Sequence, residues 1–239
     1  MTKYQPIVLP IERAERRRNP RWFDTDWMLL SQLARAIRAM AAAHVRPGQV
    51  AIDLGCGSRP YADIFRAAGA IYLGAELDGS AELMIDDGGR VDAKDGTADL
   101  ILSFQVLEHV RDIDTYFAEA HRLLKPDGEL ILSTHGTWLY HPHPEDHRRW
   151  TRQGLRTDIE MRGFELVECV SLVGPLAWTT MIRLTGYAFA LRKLPVVGRP
   201  VAAALALVMN LRAAIEDRIT PRAISNENGC VYLVRCRRR

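Results

Sequence analysis

The sequence predicts an α/β fold, a doubly wound, seven-stranded and mostly parallel sheet with an antiparallel last strand, an N-terminal helix and a C-terminal helical insertion. Three observations predict it. Short apolar runs alternate with segments of helical period from residue 50 to 173, the signature of strand–helix units on a parallel sheet. The first run, Val50–Leu54, enters a tight turn, Gly55-Cys56-Gly57, where two residues without Cβ let a ligand lie on the backbone. A carboxylate, Glu76, ends the second run about twenty residues later, where such sheets place an acceptor for ribose hydroxyls.

Taken in order, residues 1–20 are polar, arginine-rich and end at Pro20, and read as a flexible basic arm. Asp24 or Thr25 can cap a helix running to about His44, with Trp27, Leu30, Leu33, Ala34, Ile37 and Met40 on one face. Pro47-Gly48 breaks the chain before the first strand. A helix over about 60–68 stops at Gly69, and strand two covers Ile71–Glu76. A short strand near 82–85 leads into the acidic loop Asp86-Asp87-Gly88-Gly89, and strand four is Ala98–Phe104. Asp112 or Asp114 caps the next helix, Lys125-Pro126-Asp127-Gly128 stops it, and strand five covers 129–134. Thr151 caps a helix to about Arg162, strand six covers 165–173, and the last strand, 230–236, returns antiparallel at the sheet edge.

These elements make one domain over 21–239: a ligand-binding core at 45–173, an apolar helical insertion at 174–229, and the last strand with a basic tail at 230–239. The 239 residues carry a formal net charge of +3, with the positive charge gathered in Arg13–Arg21 and Arg235–Arg239. No aromatic residues interleave these clusters, which argues against a nucleic-acid surface. Cys56, Cys169, Cys230 and Cys236 form no C-x-x-C pair, and no signal-peptide pattern opens the chain, so a reducing cytoplasm is expected. The uncharged apolar run between Arg199 and Arg212 is too short to span a bilayer, and no transmembrane helix is predicted.

The chemistry of the first turn separates its candidate ligands. A dinucleotide fingerprint would require glycine at Pro60, and Asp53 would repel a pyrophosphate. An acidic strand end instead favours the ammonium and sulfonium of S-adenosylmethionine (SAM). The run Asp53-Leu54-Gly55-Cys56-Gly57 resembles motif I of the class I SAM-dependent methyltransferases, with Arg59 in place of that family's third glycine. The ending Tyr72-Leu73-Gly74-Ala75-Glu76 and the unit EAHRLLKPDGELILST, residues 119–134, are similar to the same family in the same order. The resemblance implies SAM as cofactor and assigns Asp53, Gly55, Cys56, Gly57, Glu76, Asp87 and Gln105 to its binding, with Asp78 and Asp86 as alternates. Gln105-Val106-Leu107-Glu108-His109-Val110 resembles the segment after strand four in small-molecule methyltransferases, and differs from the N-P-P-Y of enzymes acting on DNA bases or glutamine. Within it, Glu108 and His109 are expected to hydrogen-bond to each other.

The loop from His135 to Trp150 leaves strand five and faces the crevice. Removing a proton from a hydroxyl acceptor suits histidine, and His141 first and His147 second are the expected catalytic bases. Metal binding competes, but the loop does not reproduce the H-x-H-x-D-H pattern, and no metal is assigned. Asp146 and Arg149 are expected to pair and fix the loop. The predicted activity is methyl transfer to a hydroxyl oxygen of a small-molecule, glycan or lipid-linked acceptor. Carbon methylation of a quinone- or polyketide-like ring, and a non-catalytic interaction module, stand as alternatives. The apolar insertion reads as a substrate lid, an extra core, a homodimer interface or a peripheral membrane contact.

Overall fold

A computed structural model describes residues 14–239. Its strands are β1 (Val50–Leu54), β2 (Ile71–Glu76), β3 (Leu83–Met84), β4 (Ala98–Phe104), β5 (Leu124–His135), β6 (Phe164–Leu172) and β7 (Val231–Arg238). They form one sheet in the order β3-β2-β1-β4-β5-β7-β6, parallel from β3 to β5 and antiparallel where β7 pairs with β5 and β6. The helices are α1 (Ala14–Arg18), α2 (Trp27–His44), α3 (Ala62–Ala67), α4 (Ile113–Leu123), α5 (Arg152–Glu160), α6 (Pro175–Leu191), α7 (Gly198–Ile219) and α8 (Arg222–Glu227).

Alternation along the strands builds the two faces. Ala51, Leu100, Leu102 and Ile131 pack with α2, α3 and α6, while Ile52, Ile101, Leu130 and Leu132 pack with α4 and α5 on the other face. Both faces of the central strands are therefore covered, as a parallel sheet requires. A third, smaller cluster joins Leu184 and Ala188 of α6 to Ala202, Ala206 and Met209 of α7.

Strand β7 does not lie at the sheet edge as expected; it runs between β5 and β6, and β6 is the edge. The cause is visible in its side chains. Residues from Val231 to Cys236 are buried without alternation, so both of its neighbours must be strands. The alternation Phe164 buried, Glu165 exposed, Leu166 buried, Val167 exposed suits β6 to the edge.

The helix starts follow local polar chemistry. Asp112 caps α4, accepting from the backbone N–H of Asp114 at 3.0 Å and of Thr115 at 3.1 Å, and Thr151 caps α5, accepting from Gly154 at 3.0 Å. At α2 the expected cap is displaced. The helix begins at Trp27, Asp26 makes no side-chain cap bond, and Asp24 instead accepts from the Arg21 backbone and pairs with Arg16. Within the stretch read as a flexible arm, Ala14–Arg18 forms α1, held by Arg16 to Asp24 and Asp26 and by Arg18 to Asp63. Residues 1–13 of that arm lie outside the described residues. The Lys125–Gly128 turn is absorbed as an irregularity into a longer β5 whose ladder shifts opposite Ala98 and Leu100.

Candidate active site

The order of the parallel strands reverses between β1 and β4, and open α/β sheets hold their ligands outside the carboxyl ends at that point. A pocket opens there, lined by Asp53, Gly55, Cys56, Gly57 and Gln105, all expected cofactor residues, and by Arg17 of α1.

The turn after β1 has its shape for steric reasons. Gly55 sits at φ +68°, and a Cβ there would meet the Val106 side chain at 2.8 Å. Gly57 is at φ +49° with open space where a Cβ would stand, so its backbone is accessible from the crevice. Arg59, at the position of the family's third glycine, adopts the left-handed backbone a glycine would take, φ +54°. Its guanidinium compensates by donating to Glu82 at 2.8 Å and to the Ser80 carbonyl at 2.7 Å.

Acidic groups surround this turn. Glu76 Oε2 accepts from the Gly57 N–H at 2.7 Å, which joins the end of β2 to the turn. Asp53 is buried, and the Tyr72 hydroxyl donates to it at 2.6 Å. Burial pushes the Asp53 carboxyl up to about 7 against that hydrogen bond, and the charge of Glu76 adds to the rise. A cationic ligand in the turn would draw it down again. Burial likewise pushes the Cys56 thiol up to about 12, so the sulfur is a small packing group and not a nucleophile. Gln105 closes the opposite wall at φ +60°, its backbone N–H donating to the Ser133 carbonyl at 2.9 Å. Asp86 holds its own loop by accepting from Gly88 and Arg90, whereas Asp87 is exposed and no hydrogen bond among the described residues commits its carboxylate.

A second cluster adjoins the pocket at the ends of β4 and β5. Glu108 is fully buried, with Oε2 accepting from Thr134 at 2.8 Å and Oε1 standing 3.6 Å from His135 Nε2. Among the described residues neither Glu108 Oε1 nor His135 Nδ1 has a hydrogen-bond partner. Burial pushes the Glu108 carboxyl up to about 7 and holds the His135 ring well below its ordinary value, so the ring is neutral and the carboxyl keeps its proton up to about pH 7. The expected Glu108–His109 bond does not form, because His109 Nδ1 faces the Glu145 carbonyl at 2.6 Å.

His141 lies edge-on to His135, ring centroids 4.9 Å apart, and to His109 at 5.0 Å. Its Nδ1 is 2.9 Å from the Leu139 carbonyl and 3.2 Å from Arg149 Nη2. That Nη2 has two protons and two nearer acceptors, Asp146 at 2.7 Å and Leu139 at 2.8 Å. The Nδ1 proton therefore goes to Leu139, and Nε2 keeps the lone pair. Burial lowers the His141 ring to about 4, so it is neutral at pH 7. Asp146 and Arg149 pair through both oxygens, and Asp146 also accepts from the His141 backbone at 2.8 Å, so the fork fixes the loop as expected. His147 turns its ring to Glu145, 3.0 Å away, which also binds Arg111, while its backbone N–H donates to the Glu108 carbonyl at 2.8 Å.

Arg17 was not legible as a pocket residue. It sits in a run of arginines, and only the acids Asp24, Asp26 and Asp63, which anchor its neighbours, turn that run into a helix over the crevice. Ligand atoms of Glu108, His135 and His141 lie within 4.8 Å of one another, close enough to share a metal ion. The charges of Arg149 and Arg17 act on Glu108 and His135 from close by, which opposes a dication there.

A family model described as a methyltransferase domain matches residues 27–188. A ubiquinone biosynthesis O-methyltransferase of Methylococcus capsulatus is 28% identical over 135 residues, 48% of this chain and 56% of that protein. The chain spans between 36% and 66% of the length of the first curated relatives it matches. In fold it is similar to the cyclase SpnF, with a TM-score of 0.56 at 15% identity over 87% of this chain and 82% of the other. It is also similar to phospholethanolamine N-methyltransferase 2 of Haemonchus contortus, solved with S-adenosylhomocysteine, with a TM-score of 0.54 at 14% identity over 91% of this chain and 56% of the other. At such identity these two show the fold alone.

Proposed function

The chain belongs to the class I SAM-dependent methyltransferase family, and from that membership we propose that it methylates a hydroxyl oxygen of a small or lipid-linked acceptor, with His141 taking the proton. The observation that carries this reading is the neutral His141 ring, whose Nδ1 is committed to Leu139 and whose Nε2 is left as a proton acceptor. The name of the Methylococcus capsulatus relative supports a hydroxylated ring as the class of acceptor.

The residues of the crevice fit the cofactor. The open space at Gly57 admits a ligand against the backbone, and Asp53 and Glu76 offer the negative charge that an ammonium and sulfonium require. Glu76 would exchange its bond to Gly57 for the ribose hydroxyls, and Asp87 is free to accept from the adenine amino group. When bound, SAM supplies an electrophilic methyl group. The task of this chain is then to orient the acceptor and to remove its proton. The Glu108–His135 pair is a second buried group able to hold a proton behind His141, and we read the cluster as proton-handling rather than metal-binding. Four free cysteines support a reducing compartment.

His141→Ala tests the assignment. We expect SAM affinity to be retained by calorimetry while kcat falls on the order of a hundredfold or more, with partial recovery as rising pH ionises the acceptor. Wild-type turnover in that variant would remove His141 from the mechanism.

A further inference from the structure

One face of the α6–α7 hairpin is apolar and uncovered among the described residues. Along α7, Gly198, Ala202, Ala206, Met209 and Ala213 are buried, and on the opposite side the N-cap residue Val197 and then Val201, Val208, Leu211, Ile215 and Ile219 are exposed. At about 100° per residue those six exposed side chains fall within roughly 80° of arc, a continuous stripe roughly 30 Å long. Val196, at the tip between the two helices, is 95% exposed. Single exposed apolar residues are ordinary, but a stripe of this length calls for a partner.

Charge identifies the partner. From Gly174 to Ile215 the chain holds Arg183, Arg192, Lys193, Arg199 and Arg212 and no acidic residue. The acids that follow are engaged within the molecule: Glu216 accepts from Thr180 and Arg212, and Asp217 accepts from Gln32 and the Gly174 N–H. By the same helical geometry Arg212 and Arg218 flank the stripe, each about 60° from its centre, where long side chains can lie along an apolar surface with their charges in the headgroup region. We propose that this hairpin docks the protein on an anionic lipid bilayer, with α7 lying in the plane of the interface.

The other occupants fit less well. A second copy packed face to face would set the same row of cations against itself. As for spanning, α7 reaches the length and mean hydropathy, 1.2, of a membrane-crossing helix. Its uncharged stretch, however, is the 12 residues from Pro200 to Leu211, whereas a span takes about 20. An apolar stripe bordered by basic side chains is instead the pattern of a helix resting in the interface.

Flotation of the full chain with phosphatidylcholine vesicles, with and without a large share of phosphatidylglycerol, tests the proposal. The protein should float with the anionic vesicles, stay behind with the neutral ones, and be released by salt. The double variant Val208→Glu/Leu211→Glu should lose that partition by roughly tenfold or more while keeping its melting temperature and SAM affinity, because both side chains are exposed. Should it fold poorly, Arg192→Glu/Lys193→Glu at the hairpin tip should lower binding to anionic vesicles alone. Failure to float, equal flotation with both vesicles, or a dimer in sedimentation velocity that the same substitutions dissolve would each overturn it.

Discussion

Glu76 shows how one residue type at one register position is aimed at the proposed cofactor site. Its carboxylate stands at the carboxyl end of β2 and already accepts a backbone N–H of the glycine turn, so the acceptor is aimed before any ligand arrives. Glu76→Ala removes a charged acceptor and should weaken SAM binding by about 1.5 to 3 kcal/mol in calorimetry; unchanged affinity would remove Glu76 from the site. Arg59 teaches the complementary lesson. The family pattern asks for glycine there because the backbone is left-handed, and the arginine tolerates that backbone because Glu82 and Ser80 hold its side chain. Motif I was thus legible despite the mismatch. Glu108 was less so. Its nearest histidine in sequence is His109, yet its partners are Thr134 and His135 from the neighbouring strand, a pairing that only the sheet creates.

At the scale of elements, strands β1, β2 and β4 were readable to the residue, because each is a short apolar run closed by a glycine or a polar turn. The place of β7 was not. Period-two reading reports which faces a strand buries but not which neighbours it has, and the inner position of β7 follows only from its burial on both faces together with the polar alternation of β6. The arginine-rich first helix escaped for a related reason, since its anchors lie as far away as Asp63. Helix α7 is tied to the body near its end by Asp217, which accepts from Gln32 and the Gly174 N–H, and at its middle by a buried amide: Asn210 donates to the carbonyls of Trp22 at 2.7 Å and Asp24 at 2.8 Å. Asn210→Leu would leave two carbonyls without that donor and should cost about 2 to 4 kcal/mol of stability in urea unfolding. A loss below about half a kcal/mol would mean that packing and the Asp217 bonds seat the helix without the amide.

The molecule as a whole gathers two raised carboxyls, Asp53 and Glu108, and two lowered rings, His135 and His141, towards the carboxyl end of the parallel strands, which links pH to stability. Asp53 and Glu108 have folded-state carboxyls raised to about 7 from 3.8 and 4.5, so their contribution to stability is present at low pH and is lost as pH rises through about 7. His135 and His141 act oppositely. Their rings are lowered, so stability is lost as pH falls below 6.5 towards 4, and between those limits the two effects partly offset. Above pH 6.5 only the carboxyls remain, and stability should decline towards pH 8. Glu108→Gln should flatten that decline, the difference from wild type amounting to about 3 kcal/mol at most between pH 4.5 and pH 8. Parallel stability curves for the two proteins would mean that Glu108 is ionised in the fold.

Fold and cofactor class follow from strand ends and turns that any reader of the chain can locate, whereas the acceptor depends on how the histidine loop and the apolar hairpin sit in space. The proposed reaction is methyl transfer to a hydroxyl. Its most direct test is to incubate the protein with SAM carrying an isotopically labelled methyl group and extracts containing candidate acceptors, then to identify the labelled product by mass spectrometry and NMR. A single product labelled at a methoxy carbon on a small or lipid-linked hydroxyl compound is expected, formed far more slowly by His141→Ala. Label on carbon or nitrogen, or no labelled product with any acceptor, would contradict it.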